Sequence, residues 1–130
     1  MRTVEYSFGG RIYHLCMNGA ALFDIYEKFG SKGSVVDLIR GNGKKSFQHT
    51  CWMLAKFAEQ GELVRRYQGF DHGKFPSAEY FQTMLRPLDV VQAKDTLERT
   101  IRLGFSREEE REAEEIDLGL QELEKKTEVR

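Results

Sequence analysis

Two adjacent glycines, Gly9 and Gly10, sit between two short alternating segments and constrain the fold more than any other feature of the chain. Before them, Val4, Tyr6 and Phe8 alternate with Glu5 and Ser7; after them, Arg11 to Leu15 continues the alternation. A two-residue loop in which both positions accept positive φ is the signature of a tight β-hairpin. That loop pairs Phe8 with Arg11, Tyr6 with Tyr13 and Val4 with Leu15. Val4, Tyr6, Phe8, Tyr13 and Leu15 then share one apolar face, while Glu5 and His14 become neighbours on the other. A lone hairpin is marginal in water, so its apolar face must be covered. The helices that follow are the cover.

Their punctuation is legible. Asn18 is placed to cap a helix carrying Leu22, Ile25, Tyr26 and Phe29, which Gly30 ends. Ser34 caps a short helix with Val35, Val36, Leu38 and Ile39, and Gly41-Asn42-Gly43 stops it. Ser46 starts the strongest helix, whose stripe is Phe47, Cys51, Leu54 and Ala58, widened by Trp52, Met53 and Ala55, and Gly61 closes it. Residues 61–76 read as a loop containing Gly69 and Gly73, with room for a short element at Leu63, Val64 and Tyr67. Pro76-Ser77 opens another helix, with Glu79 in its first turn and Tyr80, Phe81, Met84 and Leu85 on one side. Pro87 breaks it. Asp89 caps a further helix with Val90, Ala93, Leu97 and Ile101 on its stripe, and Gly104 ends that one.

Ser106 with Glu109 three residues on is a capping-box pattern, opening a last helix through about Lys126. Its Ala113, Ile116, Leu120 and Leu123 follow a 3, 4, 3 spacing, a seam of about two heptads where sustained coiled coils need three or four. Gly119 weakens it by roughly 1 kcal/mol relative to Ala. The expected fold is α+β and predominantly α: an N-terminal β-hairpin packed on four to five short helices, plus a C-terminal acidic helix. Residues 1–105 form the domain and 106–130 the tail, with Trp52, Phe57, Tyr80 and Phe81 in the core.

Charge narrows the function classes. The chain has 20 Lys and Arg against 21 Asp and Glu, a formal net of −1, unlike the basic surplus of general nucleic-acid binders. The charge is uneven. Residues 1–106 hold 15 Lys/Arg and 11 Asp/Glu, a net of +4, and residues 107–130 hold 5 and 10, a net of −5. A mildly basic body with an acidic tail suggests self-contact between the two, or an interaction tail. Two cysteines, Cys16 and Cys51, suit a reducing compartment rather than a disulfide framework. Neither a secretory signal nor a bilayer-spanning stretch is expected.

Sites of chemistry are weakly marked. His14, Cys16, His49, Cys51 and His72 lack the spacing of a metal site. Cys51 lies on a core stripe, so a Cys–His nucleophile has nothing to activate it. The segments Gly30 to Gly33 and Gly41 to Lys45 miss the phosphate-loop pattern. No catalytic residue, cofactor or metal is therefore expected. A helix-turn-helix could be drawn from Ser34–Arg40 and Ser46–Gln60, with Lys44, Lys45, Lys56, Arg65 and Arg66 as basic surface. However, Phe47, Trp52 and Phe57 read as core, and the acidic tail repels phosphate. A small DNA-binding or regulatory protein stays as the alternative. Protein binding is the leading class, with Tyr67, Phe70 and Phe75 as a recognition loop and Ile116, Leu120 and Leu123 as a second contact.

The order of parts resembles the tail assembly chaperones of long-tailed, sipho-type phages and their prophages. The resemblance lies in the hairpin VEYSFGGRIYHL at 4–15, the helix ALFDIYEKFG at 21–30, the short Val/Leu/Ile helix, CWMLAKFAEQG at 51–61 and FPSAEYF at 75–81, and covers roughly residues 3–105. It implies a non-enzymatic protein of the host bacterial cytoplasm. Its partners would be the tape measure protein and the tail tube protein. Apart from the resemblance, the tail seam leaves a homo-oligomer open, the absence of a long apolar run argues against a membrane, and the charge balance argues against nucleic acid. It implies no catalytic residues, and in many members a longer form made by translational frameshift.

Overall fold

In the computed structural model, strands β1 (Val4–Phe8) and β2 (Arg11–Leu15) form the antiparallel hairpin in the expected register: Val4 opposite Leu15, Glu5 opposite His14, Tyr6 opposite Tyr13 and Phe8 opposite Arg11. Gly9 and Gly10 carry the turn with φ of 62° and 76°. The structure describes residues 1–71 and 73–106. His72, the acidic tail expected from Ser106 to Lys126 and its residues Ile116, Leu120 and Leu123 all lie outside the described residues, except Ser106 itself.

Among the described residues, four α-helices and one 3-10 turn follow the hairpin: α1 (Gly19–Phe29), the turn Val35–Ile39, α2 (Lys44–Tyr67), α3 (Ala78–Met84) and α4 (Pro87–Phe105). The fold is α+β and mainly α. Local signals start these elements. Asn18 Oδ1 accepts from the Ala21 N–H at 2.9 Å. Ser34 Oγ accepts from Val36 N–H at 3.2 Å, while Asp37 returns the bond to the Ser34 N–H at 3.4 Å. Ser77 Oγ accepts from Tyr80 N–H at 3.0 Å. Each cap satisfies an orphan donor and contributes about 1 kcal/mol.

Helix α2 is the spine, and β2, α1, the 3-10 turn, α3 and α4 all pack on it. Phe81 of α3 covers the hairpin's apolar face, with ring centroids 6.4 Å from Tyr6, 6.1 Å from Phe8 and 5.7 Å from Tyr13. Phe57, Leu54 and Met53 of α2 meet Leu97 and Ile101 of α4 in the same continuous core. Truncating a ring such as Phe57 to Ala costs about 3–5 kcal/mol at a site this buried. Buried Thr50 and Thr100 return their hydroxyls to Ser46 O and Thr96 O, at 2.8 Å each.

Several expectations are corrected. Helix α2 neither starts at Ser46 nor stops at Gly61; it begins two residues earlier and runs on to Tyr67, so 61–67 is helix rather than loop. Gly61 is there for packing: a Cβ on it would run into the His14 carbonyl of β2. Gly104 likewise sits inside α4, pressed on Met17 O, and does not end the helix. Pro87 breaks α3 but also begins α4, because the missing N–H is harmless in a first turn. Asp89 is one turn inside, where it accepts from the Arg86 N–H at 2.9 Å. Ser46 is buried, donating to Ile39 O at 2.9 Å and accepting from Lys94 Nζ at 2.8 Å. Among the core expectations, Phe57 and Phe81 are fully buried and Trp52 and Tyr80 only half so; Met84, expected on the same side of its helix as Phe81, is exposed. Ser106 closes α4, its N–H and hydroxyl both donating to Leu103 O.

Candidate functional site

The C-terminal end of α2 builds the most distinctive surface. Gln68 ends the helix, and Gly69 follows with φ of 88°. The Gly69 N–H donates to Arg66 O at 3.1 Å and the Phe70 N–H to Arg65 O at 3.0 Å. This double bond across a left-handed glycine is a Schellman motif, and it folds Phe70 back beside its own helix. The Arg65 guanidinium then lies over the Phe70 ring, 4.7 Å from its centroid, and Arg66 lies over Phe75 at 4.8 Å. Arg65 also donates to Asp71 O at 3.4 Å. Gly61 reads as the stop from sequence, whereas the stop lies at Gly69. The signal was present: two arginines in a last turn followed by glycine mark a helix end by dipole and by backbone.

The segment that carries Phe75 is tied down on both sides. Glu62, 5% exposed, accepts from the Gly73 N–H at 2.8 Å. Arg11 of the hairpin donates to Lys74 O at 2.7 Å while its guanidinium lies 4.8 Å from the Tyr13 ring. Gly73 fits because a Cβ would collide with Arg11. The N-terminus is tied in as well, since Gln68 Nε2 donates to Met1 O at 2.9 Å.

On this mount the three aromatics face solvent: Tyr67 is 93% exposed, Phe70 54% and Phe75 44%. Tyr67 sits in the last turn of α2, not in a loop. The structure brings Tyr67, Phe70 and Phe75 to one end of α2; Ile116, Leu120 and Leu123 are outside the described residues. Aromatics on a fixed frame with adjacent arginines have the composition of a protein-binding hot spot. The bonds from Glu62 to Gly73 and from Arg11 to Lys74 fix the backbone just before Phe75, which lowers the ordering cost of binding there.

Burial or local contacts account for Cys51, His49 and His14 among the groups considered for chemistry. Burial pushes the Cys51 thiol up to about 11, so it stays protonated and inert at neutral pH. His49 Nδ1 is 2.8 Å from Leu38 O, and its ring packs against Phe29 at 4.5 Å. Burial, then the Arg65 charge, lower the His14 pKa, against the opposing pull of Glu5 and Glu62. Burial alone would lower the Lys56 pKa, but Asp24 and Glu59, each 2.9 Å away, outweigh it and raise it. Lys56 is thus part of a local ion-pair cluster, and Arg65 and Arg66 lie over rings, so three of the five basic residues considered for DNA are engaged within the fold. Among the described residues no group of three His, Cys, Asp or Glu side chains is placed to hold a metal, and no helix is long and apolar enough to cross a membrane.

Comparison with protein-family models, with curated proteins and with solved structures finds no match to this chain.

Proposed function

We propose that this chain is a tail assembly chaperone of a long-tailed phage or prophage, a non-catalytic protein of the host bacterial cytoplasm. It binds the tape measure protein and the tail tube protein while tails assemble. The observation that carries the protein-binding part is the exposed aromatic surface of Tyr67, Phe70 and Phe75 at the end of α2, with Arg65 and Arg66 over two of its rings. The chaperone part rests on the resemblance of the hairpin-and-helix layout. A long helical client needs many copies of a modest, reversible contact rather than one deep pocket. Three exposed aromatics flanked by arginines supply such a contact.

Co-expression tests the reading. Tagged chain is produced together with the tape measure and tail tube proteins of a long-tailed phage or prophage from the same genome, and the complex is purified at moderate salt. Co-purification of either client supports the proposal. A chain that retains neither, yet shifts duplex DNA with a steep salt dependence, belongs to the DNA-binding alternative instead.

A further inference from the structure

A second surface lies where the described chain ends. The start of α1, the end of α4 and the segment leading out of β2 enclose a groove of about 550 Å³. That size falls in the range of sites that take up a ligand or a few side chains. Met17 forms its buried floor, Leu22 and Leu103 its half-buried apolar walls, and Met1 and Arg2 its rim. Ser106, the last described residue, is itself part of the lining.

We infer that residues 107–130 dock in this groove of their own chain, inserting the apolar seam of Ile116, Leu120 and Leu123. Three observations converge. The first is reach. The chain leaves from the groove's own wall, and the ten residues from Ser106 to Ile116 span about 15 Å as helix or about 33 Å extended. A segment tethered that closely is present at an effective concentration in the millimolar range. The second is charge. The segment carries 5 Lys/Arg and 10 Asp/Glu, a net of −5, while residues 1–106 carry 15 and 11, a net of +4. The rim bears Arg2. The third is pattern. A seam of two heptads is too short to dimerise strongly by itself, yet it presents the few apolar side chains that a groove of this size accepts.

The inference does not depend on the chaperone reading, and its test involves no client. Full-length chain is labelled at Met and Leu methyls and compared by NMR with the triple variant Ile116→Ser, Leu120→Ser, Leu123→Ser. The methyl signals of Met17, Leu22 and Leu103 are expected to move in the variant, while those of Leu54 and Leu97 in the core stay in place. The difference should be the same on dilution, and a synthetic peptide of residues 107–130 added to the variant should restore the original positions. Groove signals that ignore the substitutions overturn the inference. So does a difference that fades on dilution, since that would place a second copy in the groove.

Discussion

The backbone of Gly61 in the middle of α2 lies directly against the carbonyl of His14 at the end of β2, with no room between them for a Cβ. The Cys16 N–H completes the docking by donating to Phe57 O at 3.0 Å, one helical turn before Gly61. The hairpin is therefore joined to the spine backbone to backbone. The site at the end of α2 depends on that joint, because Arg11 of the same hairpin holds Lys74.

Gly61→Ala tests the joint. In an ordinary helix interior this change stabilises by about 0.5–1 kcal/mol, since glycine gives up more backbone freedom on folding. Here the added methyl meets backbone that cannot swing aside. The sign reverses, with a loss of about 3 kcal/mol expected from overpacking. Urea unfolding of the two proteins measures it, and a gain in stability for the variant would refute the joint.

His14 adds a pH dependence. Its pKa is lowered in the fold, first by burial and then by Arg65, from an ordinary value of 6.5. The unfolded chain therefore takes up the proton at higher pH than the folded chain does. The His14 contribution is fully present above pH 6.5 and is lost as pH falls through the lowered value. Thermal melts of the wild type and His14→Gln at a series of pH values separate it from other groups. The difference between their melting temperatures should shrink or invert below pH 6.5; a constant difference counts against the assignment.

Glu62 sets the geometry of the segment that carries Phe75. Its buried carboxylate holds the Gly73 N–H, and removing it strands that donor. Glu62→Ala should cost about 2 kcal/mol, as expected for a hydrogen bond to a charged group. Amide exchange at Gly73 should accelerate, while Glu62→Gln, which retains an acceptor, should restore most of the protection. Unchanged exchange in Glu62→Ala would show that the segment is held by Arg11 alone.

Local signals made much of this fold legible. The hairpin register followed from Gly9-Gly10, and Asn18, Ser34 and Ser77 cap the elements expected of them, because a turn or a cap is decided by residues a few positions apart. The failures share one cause. Gly61 and Gly104 read as helix stops, yet each exists to admit the backbone of a distant segment, His14 and Met17, which no local pattern reveals. With Gly61 read as the stop, Tyr67 falls in an expected loop, whereas the helix itself presents it. The aromatic residues themselves were picked out by composition. Their rigid mounting was not, since it rests on the long-range partners Arg11 with Lys74 and Gln68 with Met1.

The central claim is that Tyr67, Phe70 and Phe75 bind a protein client. The most direct measurement is the affinity of the tape measure or tail tube protein for the wild type and for Tyr67→Ala/Phe70→Ala/Phe75→Ala, with Leu88→Ala/Val91→Ala as an exposed control elsewhere. Truncating three hot-spot aromatics at roughly 1–2 kcal/mol each predicts binding weaker by at least about a hundredfold, with a melting temperature close to wild type. The control should bind as the wild type does. Equal affinity for the triple variant and the wild type would contradict the claim.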